Sequence, residues 1–315
     1  MVQPLFLQPV FKERIWGGTA LKKEFGYDIP TDKIGECWAI SAHPNGPSVI
    51  ENGPFAGVTL DKLWNEHPEL FGNPSEKVFP LLTKILDANM DLSVQVHPND
   101  AYAMKNENGE LGKTECWYII DCKENAEMIF GHNALTKDEF IQLVDKGQWN
   151  DLLRRVKIKP GDFFFVPSGT IHALCEGTLV LETQQSSDTT YRVYDYDRRD
   201  DQGNLRELHI EKAIEVTSVP HQEIKGNTSI EEKGDLTITT FVNSEFFSVY
   251  KWDVKGSAYF TANDQYLLIS VLKGNGTFIH NDETYSLTKG THFIVPVGMG
   301  DFEIRGDCQL IVSHK

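Results

Sequence analysis

The sequence has no long apolar run and no excess of positive charge, and each absence excludes a class of protein. None of its apolar stretches approaches the roughly 20 residues that a helix needs to cross a bilayer, so we expect no membrane partner. Acidic residues outnumber basic ones by 46 to 30, which gives a formal net charge of -16. Nucleic acid is excluded as a partner because its binding needs a basic face that displaces counterions. No glycine-rich nucleotide-binding loop is present either.

Paired cysteines are also lacking. The five cysteines are scattered, and no two of them form a CxxC motif. An odd number of unpaired thiols is typical of a reducing compartment, where most of them serve as small hydrophobic side chains. The first residues lack the charged segment and long apolar run of a secretory signal. These features predict a cytoplasmic protein, and nothing in the sequence indicates its oligomeric state.

Short β-branched and aromatic segments bounded by Gly, Pro, Asn or Asp fill the sequence and predict a mainly β fold. The clearest are Leu92–His97, Cys116–Asp121, Phe163–Pro167, Thr178–Thr183, Leu236–Val242, Tyr266–Leu272, Gly276–Ile279 and Phe293–Pro296. Apolar residues at helical spacing predict helices in Leu60–Leu70, Asn99–Asn108 and Thr136–Val156.

The third helical stretch begins with a capping box formed by Thr136 and Glu139. We expect Gly147 to separate two helices within it. Leu152, Leu153 and Val156 continue the helical spacing after that glycine. The β-rich N-terminal half therefore contains a helical insertion.

An internal repeat links the two halves of the chain. Gly161, Pro167, Gly169 and His172 form the pattern G-x5-P-x-G-x2-H, and G-x5-P-x-G recurs from Gly290 with Asp301 in the place of the histidine. Glycines at these positions allow tight turns on either side of a buried strand. The repeat predicts two related β-barrels, one of which has lost its histidine. Chemistry should therefore reside in the first half.

A polar, charged segment over Thr217–Asp235 predicts a domain boundary near residue 220. Residues 1–220 would form a metal-binding catalytic domain that includes the helical insertion, at about 54–76 and 98–156. Residues 221–315 would form the second, degenerate barrel.

Polar residues on three predicted strands form a candidate metal site. Ser93, Gln95 and His97 alternate with valines and so share one face of a strand. Lys113 and Glu115 share a face of the next strand, and His172 ends the glycine–proline element. Imidazole and carboxylate side chains suit Zn²⁺ or another divalent first-row metal. Gln95 is either a fourth ligand or a hydrogen-bond partner of water or a sugar hydroxyl.

Most single histidines are hydrogen-bonded or surface residues rather than ligands. We assign that ordinary role to the remaining ones, His43, His67, His132, His209, His221, His280, His292 and His314.

A second polar run leads from Glu182 on one strand to Arg192 on another. As an ordinary loop it would pair Asp188 with Arg192. As part of a site, Arg192 would bind an anionic group or stabilise developing negative charge through its planar donors. Lys113 would be a second cation beside the metal.

Several motifs together resemble a known family. GDFFFVPSGTIHAL, from Gly161, resembles the second cupin motif, and QVHPND, GKTECWYI, SSDTTYRVYDYDR, IWGG and GECWAISAHPNGPS resemble the short bacterial type I phosphomannose isomerases. The resemblance implies two cupin, or jelly-roll, barrels and the interconversion of mannose 6-phosphate and fructose 6-phosphate. It implies one zinc ion bound by Gln95, His97, Glu115 and His172, with Arg192 catalytic and Lys113 and Glu182 lining the substrate pocket. Longer members carry a tyrosine where this chain has Leu174.

Aldose–ketose isomerisation transfers a proton between C2 and C1 through an enediol and needs a general base. Glu182 and a metal-bound water are both candidates. Two other functions compete with isomerisation. Two histidines and a carboxylate also describe non-haem Fe(II) oxygenases, and a sugar-binding protein without activity could use the same fold.

Overall fold

The computed structural model describes residues 2–200, 202–224, 228–261 and 264–315. Residues 225–227, inside the polar segment over Thr217–Asp235, lie outside this description. The described residues are mainly β, as expected from the sequence. No helix among them is both long and apolar enough to cross a membrane. All five cysteines are free thiols, and all but Cys122 are buried.

The described residues of the N-terminal half form thirteen strands and six helices, with short 3₁₀ turns at Gly53–Phe55 and Pro68–Phe71. Its strands are β1 (Leu5–Gln8), β2 (Val10–Gly18), β3 (Ile34–Ile40), β4 (Val49–Ile50), β5 (Leu81–Ala88), β6 (Val94–Val96), β7 (Glu115–Cys122), β8 (Glu127–His132), β9 (Leu153–Lys157), β10 (Phe163–Val166), β11 (His172–Leu174), β12 (Thr178–Gln185) and β13 (Tyr191–Tyr194). Its helices are α1 (Ala20–Phe25), α2 (Leu60–Glu66), α3 (Asp100–Asn106), α4 (Lys137–Asp145), α5 (Trp149–Leu152) and α6 (Ile210–Val216).

The C-terminal half adds seven strands, several of them long. They are β14 (Ser229–Lys233), β15 (Leu236–Asn243), β16 (Ser248–Phe260), β17 (Leu267–His280), β18 (Glu283–Thr288), β19 (His292–Val295) and β20 (Phe302–His314). The segments Tyr266–Leu272 and Gly276–Ile279, predicted as separate strands, are parts of the single strand β17. Gly274, with φ of 70°, bends this strand without ending its pairing with β20.

The predicted helices form, with two corrections. Thr136 caps its helix as expected, by accepting a hydrogen bond from the backbone N–H of Glu139, and Asn99 caps α3 in the same way through the N–H of Tyr102. Leu60–Leu70 is not one helix, because α2 ends before Pro68 and a 3₁₀ turn follows.

The second correction concerns the end of the third helical stretch. The helix after Gly147 is only the short α5, and the expected helical positions Leu153 and Val156 belong to strand β9. Burial alternates along β9, and the strand pairs with β8. The apparent helical spacing of Leu152, Leu153 and Val156 therefore arises because a helix ends at Leu152 and a strand begins at Leu153. The ranges 54–76 and 98–156 contain helices α2 to α5 but also strands β7, β8 and β9.

Two antiparallel sheets of the N-terminal half enclose a core. One has the strand order β10-β7-β12-β5-β3-β2, and the other β13-β6-β11-β8-β9. Trp117 and Val180 from the first sheet pack with Met128 and Leu174 from the second in one buried cluster. Helices α4, α5 and α6 contribute to another cluster, on the outer face of the smaller sheet. Buried on both faces, β5 and β12 lack the alternation of a half-exposed strand.

The remaining strands form a nine-stranded sheet in the order β14-β15-β16-β20-β17-β19-β1-β4, with β18 paired to β17. The N-terminal strand β1 thus lies in the sheet of the C-terminal half, where Leu5 pairs with Ile294. Tyr27 adds a second link by donating a hydrogen bond to the carbonyl oxygen of Gly290.

The sequence repeat is also a structural repeat. Gly161 and Gly290 both have φ of 92°. Their backbone N–H groups donate hydrogen bonds to the carbonyl oxygens of Ile119 and Val271, respectively. Val166 pairs with Glu115 in the first copy, and Val295 pairs with Leu267 at the equivalent position of the second. Glu115, a candidate metal ligand, therefore corresponds to the apolar Leu267 in the second copy.

Three glycines in register bend the long strands of the C-terminal sheet. Gly256 and Gly276 each pair with Gly306. A Cβ on Gly306 would lie 2.5 Å from the carbonyl oxygen of Asn275 and 2.6 Å from the Cα of Gly276, and its φ of 145° is unusual for other residues. The bend returns Phe260 to stack on Trp252 of the same strand, with ring centroids 4.3 Å apart.

We predict that Gly306→Ala lowers the free energy of unfolding by about 3 kcal/mol, because backbone strain and overpacking both oppose the added methyl group. Gly234→Ala is the control. Gly234 has a φ of 62° but open space around its Cβ position, so strain alone should cost about 1 kcal/mol. Urea unfolding of both variants tests this, and equal losses would show that close packing at the bend is unimportant.

Candidate active site

The candidate site lies between the two sheets of the N-terminal half. The larger sheet supplies Lys84, Glu115 and Glu182 from β5, β7 and β12, and the smaller one supplies Gln95, His172 and Arg192 from β6, β11 and β13. Register places them together: His172 pairs with Gln95, and Gln95 also pairs with Arg192. The two sheets thus bring together side chains as distant in the sequence as Lys84 and Arg192, which are more than 100 residues apart.

His97, Glu115 and His172 form a buried cluster that could hold a metal ion, since one ligand atom from each lies within 4.8 Å of the others. The Nε2 atoms of His97 and His172 lie 3.5 Å and 3.2 Å from the two carboxylate oxygens of Glu115. Within the described ranges no other group of three His, Cys, Asp or Glu side chains meets this criterion. The remaining histidines belong to no such group.

Both imidazoles are held in the tautomer that a metal needs. The Nδ1 atoms of His97 and His172 each lie 2.9 Å from a backbone carbonyl oxygen, of Thr189 and Thr170 respectively. A carbonyl only accepts, so each Nδ1 carries the proton and each Nε2 presents its lone pair to the cluster. Burial lowers the pKa of both histidines, to about 4 for His172, and this keeps them neutral.

The carboxylate of Glu115 requires a cation. Both of its oxygens are buried, and no donor in the described residues makes a well-formed hydrogen bond to either. The Lys113 ammonium lies 3.1 Å from Oε2, but Oε1 faces the lone pair of His172. Two facing lone pairs in a buried site are unfavourable unless a cation lies between them. The donor chemistry of the cluster therefore fits a divalent metal.

Lys113 and Gln95 border this cluster. Although burial alone would lower the pKa of Lys113, the carboxylates of Glu115 and Glu182 raise it above its ordinary value, so the ammonium stays charged. The amide nitrogen of Gln95 lies 3.4 Å from Nε2 of His172. A half-turn of the amide would exchange its nitrogen and oxygen, so ligation by Gln95 needs no backbone movement.

Glu182 is the second buried carboxylate of the site. Its Oε1 accepts a hydrogen bond from Trp117 Nε1 at 3.0 Å, and its Oε2 lies 3.6 Å from the Lys84 ammonium. Burial and, next, the charge of Glu115 raise its pKa, although Lys113 and Lys84 act in the opposite direction. A buried carboxylate with a raised pKa is a suitable proton acceptor near neutral pH.

Arg192 lies at the open side of the site and does not pair with Asp188 in the contacts observed. Its Nε donates to Ser93 Oγ at 3.3 Å, and its Nη1 donates to the carbonyl oxygen of Glu207 at 2.8 Å. Asp188 instead accepts a hydrogen bond from Asn45. Burial and the neighbouring Arg206 lower the pKa of Arg192.

A cavity of about 310 Å³ borders the His97, Glu115 and His172 cluster at Gln95 and Lys113, and it contains residues that sequence reasoning missed. Lys113, Glu182 and Arg192 line it, and so do Arg14, Trp16, Glu36, Lys84 and Arg206. Arg14 binds Glu36 through two hydrogen bonds. Burial by itself would raise the pKa of Glu36, but the positive charges of Lys84 and Arg14 lower it to about 2. A lysine in the mostly apolar run LLTKILDA was the available signal for Lys84.

Known proteins resemble this chain closely. Residues 5–120 match the family described as phosphomannose isomerase type I, catalytic domain, and residues 237–315 match the mannose-6-phosphate isomerase cupin domain. The probable mannose-6-phosphate isomerase GmuF of Bacillus subtilis is 61% identical over 100% of both chains. Mannose-6-phosphate isomerase of Streptococcus mutans is 54% identical over 100% of this chain and 99% of its own. A crystal structure of mannose 6-phosphate isomerase from Bacillus subtilis, 59% identical, covers 100% of both chains with a TM-score of 0.98.

We predict that His97→Ala and His172→Ala each abolish retention of a divalent metal, since each removes one of three converging ligands. His67→Ala is the control, because His67 is only half-buried and lies outside the cluster. Metal content per chain, measured after dialysis, distinguishes them. Normal metal content in either cluster variant would contradict the assignment of that histidine.

Proposed function

The chain belongs to the type I phosphomannose isomerase family, and we infer from its site that it interconverts mannose 6-phosphate and fructose 6-phosphate. The reaction is an aldose–ketose isomerisation, in which a proton moves between C2 and C1 through an enediol. The supporting observation is the complete His97, Glu115 and His172 cluster beside a cavity with several cations.

We propose that one zinc ion is held by His97, Glu115 and His172, with Gln95 as the fourth ligand. Nitrogen and oxygen donors of this kind suit zinc, and they also accept other divalent first-row metals. When bound, the metal supplies Lewis-acid stabilisation of negative charge that develops on substrate oxygen. The protein's own groups bind the sugar phosphate and move the proton.

Glu182 is the residue we propose as general base. Its pKa is raised by burial, Trp117 fixes one of its oxygens, and it lines the same cavity as Lys113. Lys84 and Lys113 are cations close enough to offset negative charge on the substrate as the proton leaves carbon.

Arg192 and Arg206 add positive charge to this cavity, and Arg206 also pairs with Asp195. We propose that Arg192 acts in the site either by binding the substrate phosphate or by stabilising the enediolate. Two guanidinium groups in one pocket match a dianionic phosphate, which planar donors bind well.

We also propose that the enzyme works in the cytoplasm and that residues 1–220 and 221–315 are its two domains.

Chelation should abolish isomerisation of mannose 6-phosphate by the purified enzyme, and added zinc should restore it. Formation of fructose 6-phosphate is the measurement. If the zinc-loaded protein forms none, the inferred reaction is wrong. Oxygen consumption with Fe(II), or tight binding of mannose 6-phosphate without turnover, would then favour an oxygenase or a sugar-binding protein.

Glu182→Gln should lower kcat by about 10²–10⁴-fold, because it removes the proposed proton acceptor. In the wild type, kcat/KM should fall as the pH decreases through the raised pKa of Glu182, since only the deprotonated carboxylate accepts a proton. The variant should lose this acidic limb. Glu176→Gln, at an exposed glutamate, is the control. A near-normal kcat would show that another group is the base.

Arg192→Ala should retain metal but lower kcat/KM by at least about tenfold, the scale expected for a lost charge-assisted contact. A rise in KM alone would indicate phosphate binding, and equal losses in kcat and kcat/KM would indicate stabilisation of the transition state. Arg199→Ala is the control, because Arg199 is exposed and does not line the cavity. An unchanged kcat/KM in Arg192→Ala would exclude this residue from the mechanism.

A further inference from the structure

The C-terminal half contains a cavity of about 470 Å³, larger than the catalytic one. It opens at the end of that half's hydrophobic core, where Leu236, Trp252 and Val312 form part of its wall. Closed cores are packed without voids of this size. A cavity of several hundred Å³ lined by aromatic and aliphatic side chains with a few polar groups is typical of a small-molecule site.

The repeat places this cavity at the positions that Glu115 and Gln95 occupy in the first half. Leu267, the counterpart of Glu115, lines it, as do Pro296 and Met299 of the second glycine–proline element. Phe260 pairs with Phe302, and this register sets Thr261 opposite Asp301, as Gln95 is opposite His172. The second half has therefore lost the metal ligands but kept an open cavity in the corresponding place.

The charges around the two cavities differ. The catalytic cavity is lined by Arg14, Lys84, Lys113, Arg192 and Arg206, which outnumber its acidic residues. The second cavity has one basic and one acidic side chain, Lys233 and Glu231, both on the exposed strand β14. Without a surplus of cations it is unsuited to a phosphate dianion. Its ligand should be uncharged.

The second cavity is lined by aromatic rings and by polar groups that can form hydrogen bonds with hydroxyls. Trp252 and Phe260 form a stack, and Tyr250 stacks on His314 at 5.7 Å with its hydroxyl 3.3 Å from Nε2. Thr240 and Thr261 add hydroxyl groups. Aromatic rings contact the C–H faces of a sugar ring, and polar groups of this kind bind its hydroxyls.

We propose that the second barrel binds an uncharged sugar, a free hexose or a simple glycoside, at a site separate from the catalytic one. The proposal does not depend on the residues assigned to isomerisation.

The test is calorimetric titration of methyl α-mannoside and mannose into zinc-loaded enzyme kept saturated with mannose 6-phosphate, so that the catalytic pocket is filled. Saturable binding is expected. No saturable binding of either sugar, or binding that disappears when the sugar phosphate is present, would overturn the proposal.

Tyr250→Ala should weaken sugar binding by about tenfold or more, the scale of one lost aromatic contact and hydrogen bond. Tyr285→Ala is the matched control, because Tyr285 is also half-buried against the C-terminal core but does not line the cavity. Thr240→Val removes a lining hydroxyl with little change of shape, and it should also weaken binding if Tyr250→Ala fails to fold. Unchanged affinity in the folded cavity variants would overturn the proposal.

Discussion

The burial of one carboxylate, that of Glu115, is the constraint on which the catalytic half depends. The smaller sheet supplies His172 from β11 and His97 from the end of β6, and their lone pairs lie within 3.5 Å of the Glu115 oxygens on the facing sheet. A buried anion facing neutral acceptors is unfavourable by itself, because hydrogen-bond acceptors cannot compensate for its charge. Lys113 compensates on one side only. The site therefore favours the binding of a second positive charge. Backbone carbonyl oxygens fix both imidazoles so that their Nε2 lone pairs already point toward the place where a cation would bind.

Near Glu115, two other carboxylates have pKa values that their surroundings shift in opposite directions. Glu36 is held ionised by Arg14 and Lys84, whereas burial and the nearby Glu115 raise the pKa of Glu182. Lys84 lies between them on the fully buried strand β5. Carboxylates with such different proton affinities in one cavity can have different roles, one structural and the other in proton transfer. The rigid central strands of the larger sheet fix both.

The same strand-and-turn unit occurs in both halves of the chain, but it presents different side chains in each. The turns at Gly161 and Gly290 have the same φ and the same backbone hydrogen bond, so the strand-and-turn unit is retained. What changed is the side chains presented at equivalent positions, where Leu267 replaces Glu115 and Asp301 replaces His172. The backbone fixes where a cavity forms, and the lining residues determine which molecules it accepts. Strand β1, which joins the C-terminal sheet, ties the two halves together.

The sequence by itself determined the β-rich class, the repeat, and the His97, Glu115, His172 and Arg192 motifs, because turn glycines and strand alternation are local signals. It misplaced Leu153 and Val156 in a helix, because short-range apolar spacing does not reveal that Leu153–Lys157 pairs with β8. Only the tertiary structure decided which charges meet: that Lys84 and Arg206 share a cavity with Glu182, and that Arg192 contacts Ser93 rather than Asp188. Such contacts depend on the register of strands distant in sequence, and no local pattern encodes that register.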